Sequence, residues 1–435
     1  MAATTPDSTA ATPQITQVSK PDLAQLLYDQ KAYPQAALLF AQLVAEEQSK
    51  ETPDPTILTN YLLKQGEALV LGGECEGAIS PLWTRIRMLA EIPDGGEEIA
   101  FPDTVSLPLT DAFLVTVDRL QLALRKLKRF ADTTTLLHPV FDALAALALA
   151  DGGDGGGEDV LSQNRVGEEM CKVRANLGGV CVSRGDDGGG LAFFAANVED
   201  VLKGVWETTH EQQMRVLGDA GTLVMKSMMW EEGATNLLPL LALGLEKEPT
   251  AGPLTDALID SDFLPTVLLS LLASSHAKWV VPFLPTIHAA LDRAGASYAG
   301  NFTRIVLAQL YFELKQFGLA LSLVPASFPP MGAFVAQAMD ACKIPSTPEA
   351  LSRRFSLFVK KRGQSGASLP SLSVADVLSA ISSAPSSSSA GNGNKGGKNG
   401  GNKKNGGNKK KGGNKKKGGN KKKGGNKKKG GKKKK

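Results

Sequence analysis

The sequence predicts an all-α fold in which antiparallel helical hairpins stack on one another as an α-solenoid. The clearest hairpin is Arg304–Val324, RIVLAQLYFELKQFGLALSLV, where apolar residues recur every three or four positions on both sides of a short turn. Two small residues, Ala308 and Ala320, lie where the two helices would cross closely, and Tyr311 and Phe317 would fill the space beside that crossing. A single hairpin cannot bury its apolar face alone, so several copies must stack to form a core.

Divergent copies of this hairpin follow one another along the chain. Their small crossing residues and one turn aromatic, which we predict to be structural repeat positions, are Ala36, Gly66, Ala78, Gly178, Gly221 and Trp230. A more degenerate copy, Leu120–Leu137, carries the polar residues Gln121 and Thr133 at the small positions.

The combination of a small residue in each helix with a large apolar residue before the second helix resembles the tetratricopeptide repeat (TPR). The aromatic residues at the last three turns, Trp230, Trp279 and Phe317, are 49 and 38 residues apart, whereas TPR units recur about every 34 residues. The resemblance therefore implies a divergent TPR-like helical repeat domain with insertions, which we place at residues 20–345.

The segments outside this domain differ from it in composition. Residues 1–19 are rich in Ala, Thr and Pro and are predicted to be disordered. Pro348–Arg362 predicts an amphipathic helix within residues 346–363, which either caps the solenoid or docks a partner; capping is favoured because a solenoid needs a polar-faced end. Residues 364–390 are predicted to be a Ser-rich linker, and residues 391–435 a disordered basic tail.

Charge divides the chain into an acidic body and a basic tail. Residues 391–435 contain 20 Lys and no acidic residue, which leaves 29 basic and 44 acidic residues, a net charge of −15, in residues 1–390. Lysines without arginine or aromatic residues predict sequence-independent contact with nucleic acid or anionic membrane. Two alternatives remain open: a low-complexity expansion with little function, and a tail that folds back on the acidic body.

The cysteines and the hydropathy indicate a cytoplasmic protein. The four cysteines, Cys75, Cys171, Cys181 and Cys342, form no C-x-x-C pair, so we expect neither a zinc site nor disulfides. The N-terminal residues lack the basic start and apolar run of a secretory signal, and no apolar stretch reaches transmembrane length.

No set of residues in the sequence predicts catalysis, a cofactor or a metal site. The acidic glycine-rich runs Asp151–Asp159 and Gly185–Gly190 lack the ligand order of an EF-hand and the Lys-Ser or Lys-Thr of a phosphate-binding loop, which favours flexible insertions. The histidines are spread among different repeats and are predicted at the surface or at helix ends, with a helix break at Pro139. They are His138, His210, His276 and His288. We therefore expect a protein that is not an enzyme.

Short motifs spread over residues 82–345 resemble, in the same order, those of the twelfth subunit of the TRAPP vesicle-tethering complex. They are Leu82-Trp83-Thr84-Arg85, Ser106-Leu107-Pro108-Leu109, Gln163-Asn164-Arg165 with Arg174 and Leu177-Gly178-x-Val180, Gln212-Gln213 with Leu217, Gly221, Leu223 and Trp230, and Leu310-Tyr311-Phe312-Glu313-Leu314. Departures from that family include Arg184–Gly190, which replaces an aromatic turn, and the Lys-rich tail, which is foreign to it.

The resemblance implies a cytosolic scaffold without catalytic residues, bound to other subunits of a tethering complex and peripheral at ER–Golgi membranes. An alternative is an RNA-associated TPR protein, similar in layout to the larger TPR subunit of the signal recognition particle, which also joins repeats to a basic C-terminal region. The short Asp-Pro-Glu-Arg-Trp-Leu-Pro motif of that family is absent from this sequence, which disfavours the alternative.

Overall fold

The structure is a computed structural model that describes residues 18–93, 98–102, 105–149, 161–248, 250, 252–327, 332–345, 347–364 and 368–383. The predictions for residues 1–17, for the acidic run Asp151–Asp159, for the end of the Ser-rich segment and for the basic tail lie outside these residues.

The described residues form nineteen α-helices, one π-helical turn and one 3-10 helix, and no β-strand. In chain order they are α1 (Lys20–Asp29), α2 (Tyr33–Gln48), α3 (Pro55–Gly72), α4 (Cys75–Leu89), α5 (Asp111–Lys126), α6 (Phe130–Leu149), α7 (Gln163–Ser183), α8 (Asp187–Lys203), α9 (His210–Ser227), α10 (Trp230–Glu232), the π-helical turn (Gly233–Leu237), α11 (Leu238–Lys247), α12 (Pro253–Asp260), α13 (Phe263–Ala273), the 3-10 helix (Ala277–Phe283), α14 (Leu284–Ala294), α15 (Tyr298–Glu313), α16 (Phe317–Ser322), α17 (Ala333–Ala341), α18 (Pro348–Arg362) and α19 (Val374–Ser383).

The helices stack in sequence order as antiparallel hairpins. From α1 to α9 each helix packs against the next, and α9, α13 and α15 then pack side by side. The buried apolar residues form clusters that follow one another along the chain instead of one central core. The predicted all-α solenoid is therefore confirmed, and its stability comes from contacts between neighbouring units.

One turn geometry joins the two helices of seven hairpins. Two residues before the second helix, the chain passes through a left-handed residue with φ between 53° and 86°; these residues are Lys31, Gly73, Lys128, Gly185, Met228, Ser275 and Lys315. The next backbone N–H then donates to a carbonyl of the last turn of the first helix, as from Gln316 N to Tyr311 O at 2.8 Å. This bond satisfies a carbonyl that the helix end would otherwise leave free.

The structure places the predicted repeat positions inside the stack. Ala36, Ala78, Ala308 and Ala320 are completely buried, Tyr311 and Phe317 are nearly so, and Trp230 is half-buried at the start of α10. The three glycines lie at close approaches: a Cβ would lie 2.4 Å from Leu82 Cγ at Gly66, 3.2 Å from Gly190 O at Gly178, and 3.2 Å from Thr266 Oγ1 at Gly221.

Three local predictions are wrong. α6 continues through Pro139 without the predicted break; Thr135, whose carbonyl loses a helical donor there, lies on the exposed face where water can replace the bond. Trp279 is the third residue of the 3-10 helix, so it does not occupy the turn position that Trp230 and Phe317 share. Gly185–Gly190 is no insertion: Gly185 and Asp186 form the hairpin turn, and Asp187–Gly190 begin α8, where Asp186 Oδ1 accepts from Gly189 N at 2.9 Å.

The C-terminal end of the stack is covered by two further helices. α18 has the predicted bounds and buries Phe355, whose ring centroid lies 4.9 Å from that of Phe312 on α15, while Phe358 packs on Phe312 at 4.8 Å. Within the segment predicted as a linker, α19 folds back onto the 3-10 helix and buries Val377. A short apolar stretch is enough for a helix here because the existing stack supplies the surface it packs against.

Candidate functional site: a groove across three hairpins

The candidate site is a cavity of about 390 Å³ between the first helices of three successive hairpins, α5, α7 and α9, with α6 and α8 completing its lining. We call this cavity the groove. Its volume lies within the range of about 300–1,000 Å³ that is typical of ligand sites. Its polar lining residues are Asp118, Arg119, Gln121, Arg165, Glu169, Lys172, Asn176, Asn197, Arg215 and Asp219.

Each of the three first helices begins at a side-chain cap, which fixes where its charged residues stand along the groove. The backbone N–H of Phe113 donates to Thr110 Oγ1 at the start of α5, and that of Arg165 donates to Ser162 Oγ at the start of α7, both at 3.3 Å. α9 starts with a capping box between Thr209 and Gln212. Such caps contribute about 1 kcal/mol each to helix stability.

At the α5 side, the charges are already paired with the preceding hairpins. Arg119 Nε donates to Glu67 Oε1 at 3.0 Å, and Tyr28 OH donates to Glu67 Oε2 at 3.2 Å, which links α1, α3 and α5. Burial and the neighbouring Glu67 raise the pKa of Tyr28 to about 12, so its hydroxyl remains a donor. A second ion pair of Arg119, to Asp118 Oδ2 at 3.3 Å, completes the arrangement.

On α7, two cations and two carboxylates form a second paired set. Arg165 lies 3.0 Å from Glu168 and 2.9 Å from Glu169, and Lys172 lies 2.8 Å and 3.0 Å from the same two carboxylates. Arg165 also reaches Asp111 of α5 at 3.3 Å. The hydrogen bond from Lys172, assisted by Arg165, holds the pKa of Glu168 below its ordinary value.

Two buried amides in the groove keep an oxygen without a partner. Gln121 is 4% exposed and Asn197 is 2% exposed. Gln121 Nε2 donates to Asp118 Oδ1 at 3.1 Å, and Asn197 Nδ2 donates to the Cys171 carbonyl at 2.9 Å. Their oxygens, Gln121 Oε1 and Asn197 Oδ1, accept no hydrogen bond from any described residue. Such buried acceptors cost about 1–3 kcal/mol unless something donates to them.

α9 contributes a cation and a carboxylate, Arg215 and Asp219, at the exposed edge of the groove. Within the described part of the chain neither side chain forms a hydrogen bond or a close ion pair. Desolvation by the surrounding residues raises the pKa of Asp219, and the charge of Arg215 one helical turn away partly opposes that rise. The groove thus joins two paired sets of charges on α5 and α7 to an exposed edge on α9 whose charges have no partner among the described residues.

The cysteine in the groove is not activated as a nucleophile. Cys171 is 5% exposed, and burial raises the pKa of its thiol to about 11, so the thiol stays protonated near neutral pH. Among the described residues, no group of three or more His, Cys, Asp or Glu side chains is placed to hold a metal ion.

The four histidines lie apart from the groove. His138 and His210 are exposed, and His276 stacks on Trp279 with ring centroids 3.9 Å apart. His288 corrects the prediction of a surface or helix-end residue: it lies half-buried within α14, with Nε2 2.8 Å from Tyr311 OH, and burial lowers its pKa.

None of the ten predicted repeat positions lines the groove, because those positions mark helix crossings. The groove residues come from helices about fifty residues apart, so no local spacing joins them. One signal is present in the sequence: polar Gln121 stands where the repeat requires a small residue. In the structure it is buried, and it is one of the two unsatisfied amides.

Comparisons with known proteins identify no family for this chain. No protein-family model matches the sequence, and no curated protein matches it. Among solved structures, the crystal structure of BtubC (BKLC) from P. vanneervenii matches with 14% identity and a TM-score of 0.36, over 54% of this chain and 81% of that chain. None of the described helices is long and apolar enough to cross a membrane.

Proposed function

We propose that this chain is a non-enzymatic scaffold that binds another protein along the groove of α5, α7 and α9. The observation that carries the proposal is a groove that three hairpins build together, with the exposed Arg215 and Asp219 at its edge and without partners among the described residues. Most charged side chains of the groove are held in ion pairs, which fixes the positions of its donors and acceptors. The thiol of Cys171 in the groove is protonated. Such a surface suits binding better than it suits activating a substrate.

At a finer level, we propose that the hairpins are divergent TPR units and that the chain is a subunit of a TRAPP-like tethering complex in ER-to-Golgi transport. The support is the ordered set of sequence motifs. Their residues serve two purposes in the fold: Leu82, Leu217 and Leu310 are completely buried, whereas Arg165 lines the groove. The partners would be other subunits of the complex, and the protein would act in the cytoplasm, peripherally at ER–Golgi membranes.

Affinity purification of the full chain with mass spectrometry tests the proposal, with Arg215→Glu as the groove variant and Glu246→Gln as its control. Both residues are exposed, but Glu246 lies on α11 outside the groove. We expect TRAPP core subunits to be captured by the parent and by Glu246→Gln, and to be lost with Arg215→Glu. Capture that is indifferent to Arg215→Glu would remove the groove from the interface.

A second candidate function is an RNA-associated protein, which the composition of residues 391–435 favours: 20 Lys without one acidic residue. Lysine clusters contact phosphate groups as point charges and bind nucleic acid without regard to sequence. In the same purification, recovery of ribosomal or signal-recognition components instead of tethering subunits would support this candidate.

A further inference from the structure

The helix α18 has a second, exposed side in addition to the side that covers the end of the stack. On the inner side, Leu351 and Phe355 are completely buried. The other side carries exposed residues that follow one another at steps of three and four positions, which places them on one face of the helix. We call this face the outer stripe; its residues are Arg353, Ser356, Leu357, Lys360 and Lys361.

The three cations of the outer stripe are unpaired. The side chains of Arg353, Lys360 and Lys361 form no ion pair or hydrogen bond with any residue that the structure describes. The adjacent Arg354 differs, because it donates to a backbone carbonyl at 3.2 Å and its guanidinium carbon lies 4.6 Å from the centre of the Phe312 ring. Arg354 therefore belongs to the fold, whereas the charges of the stripe remain for a partner.

This basic surface stands on an acidic body. Residues 1–390 carry a net charge of −15, and α18 contains a single acidic residue, Glu349, in its first turn. On α7, by contrast, Arg165 and Lys172 are both held by carboxylates of the same helix. A surface whose cations have no carboxylates of their own is complementary to a partner that supplies them.

The outer stripe also offers apolar surface to a partner. Leu357, which lies between Arg353 and Lys360, is 51% exposed. A hollow of about 390 Å³ opens between α16 and α18, and its apolar lining includes Val359 and Leu319, of which Leu319 is 45% exposed. A partner that brings both carboxylates and apolar side chains can therefore pair with the cations and bury these leucines.

Two other anionic partners fit this surface less well. A long nucleic acid offers phosphate groups, and the acidic body around the stripe would repel the rest of its length. A membrane-bound amphipathic helix inserts its apolar face into the lipid, but the apolar face of α18 is already buried against the stack. A short acidic segment of a protein avoids both conflicts because it covers the stripe alone.

We propose that the outer stripe docks an acidic amphipathic helix of a partner protein. Arg353 and Lys360 are seven residues apart, a distance of about 10.5 Å along a helix. Carboxylates seven residues apart on the partner helix match that distance, and apolar side chains between them pack on Leu357 and reach the hollow. The stripe shares no residue with the groove, so this second interaction surface does not rest on the proposed function.

Fluorescence anisotropy with two labelled, capped, alanine-based peptides tests the proposal. In the first peptide, Glu at i and i+7 flank Leu at i+3 and i+4 on one helical face; the second has the same composition with both Glu on the opposite face. The protein is the full-length chain with each Lys of residues 391–435 changed to Gln, so that the tail does not bind the acidic probes. We expect the first peptide to saturate with a Kd below about 1 mM and the second to bind at least about threefold more weakly.

Three variants of exposed residues locate the binding. Arg353→Glu replaces an attraction by a repulsion, and Ser356→Glu places a carboxylate within the stripe, so each should weaken the first peptide about three- to tenfold. Leu319→Gln removes apolar contact at the hollow and should weaken it several-fold. Lys278→Glu, on the 3-10 helix, alters the net charge as Arg353→Glu does and should have no effect. Circular dichroism verifies the fold of each variant.

The proposal is overturned if the first peptide does not saturate, if both peptides bind equally, or if Arg353→Glu binds as its parent does. An oligouridylate RNA and vesicles containing phosphatidylserine are titrated in the same way. Tighter binding of either one, lost with Arg353→Glu, would assign the stripe to nucleic acid or to a membrane instead. Arg215→Glu, the groove variant, should leave peptide binding unchanged while it abolishes partner capture at the groove, so the two proposals fail separately.

Discussion

Leu82 of α4 lies against Gly66 of α3 so closely that a Cβ at Gly66 would stand 2.4 Å from Leu82 Cγ. Both residues are buried, and Leu82 is completely so. The two helices of the second hairpin therefore approach this closely because Gly66 has no side chain to separate them. The sequence pattern marks this position as a small crossing residue, and the structure gives the atom that it makes room for.

We expect Gly66→Ala to destabilise the fold by about 1–3 kcal/mol, since Leu82 must shift in a packed core. Gly77→Ala is the matched control on the partner helix, because its Cβ would meet only Leu69 at an ordinary 3.8 Å. Helix propensity predicts that the control is neutral or up to about 1 kcal/mol more stable. Urea unfolding followed by circular dichroism measures both, and equal midpoints for the two variants would contradict the close crossing.

The left-handed turn predicts a second pair of glycine variants. Gly73 has φ +86°, and a Cβ there would meet no atom within 4 Å, whereas Gly188 has equally open space and lies in ordinary helical backbone in α8. We expect Gly73→Ala to cost about 1–2 kcal/mol through backbone strain alone, and Gly188→Ala to cost nothing. Urea unfolding of the two variants measures the difference, and a Gly73→Ala midpoint equal to that of Gly188→Ala would exclude strain at this turn.

The same turn predicts a stabilising change. Lys128 is exposed and holds a left-handed conformation with φ 59°, which glycine adopts without strain. We expect Lys128→Gly to raise the free energy of unfolding by up to about 1 kcal/mol, because the strain it relieves exceeds the added chain entropy of glycine. A melting temperature of Lys128→Gly below that of the parent would show that lysine is not strained at this turn.

Stability should depend on pH through Asp262, the left-handed residue before α13. Burial and, to a lesser extent, the charge of Asp260 raise the pKa of Asp262 to about 6, and its Oδ1 is buried without a partner among the described residues. A carboxyl whose pKa is higher in the folded than in the unfolded state destabilises the fold as pH rises from about 4 through 6, where the unfolded chain loses its proton first.

Asp262→Asn removes that titration and keeps a side chain that tolerates the left-handed conformation. We expect the variant to be more stable than the parent at pH 7.5 and to lose this advantage at pH 4, measured by urea unfolding at both values. Asp340→Asn, at an exposed carboxylate on α17, provides the control and should show no such change. An Asp262→Asn advantage that is the same at both pH values would rule out the buried carboxyl as its cause.

The sequence predicts the fold well where the signal is local. The bounds of α18 and the turn before Phe317 follow from apolar spacing and from residues that end helices. The sequence-based prediction fails where packing against another segment determines the structure. α6 continues through Pro139, and α19 forms because Val377 packs against the 3-10 helix. These outcomes depend on packing between distant segments, which periodicity does not contain.

The groove is hidden from the sequence for a related reason. Its two unsatisfied amides, Gln121 and Asn197, stand on α5 and α8, and each alone reads as an ordinary polar residue of an amphipathic helix. Only the stacking of α7 between the hairpins brings both to one cavity. The sequence shows a polar Gln121 at a position where the repeat has a small residue. Only the structure shows that its Nε2 donates to Asp118 and that its Oε1 has no partner.

The last prediction separates the basic tail from the helical body. Residues 391–435 carry 20 Lys, whereas residues 1–390 carry a net charge of −15, so binding to RNA or anionic membranes should reside in the tail. Deleting residues 391–435 is expected to abolish that binding and to leave circular dichroism and partner capture unchanged. For the full chain, the logarithm of the RNA-binding constant should fall with the logarithm of salt concentration by about 0.7 for each phosphate neutralised.

The measurement compares the full chain with residues 1–390 in an RNA titration at two salt concentrations and in the partner purification. A neutral tail of equal length, with each Lys of residues 391–435 changed to Gln, controls for the length of chain removed. Tight RNA binding by residues 1–390 at high salt would favour the RNA-associated function, because an acidic body can bind RNA only through a dedicated site. Loss of the protein partner on deletion would instead place the tail within the interface, since the groove on α5, α7 and α9 is left intact by that deletion.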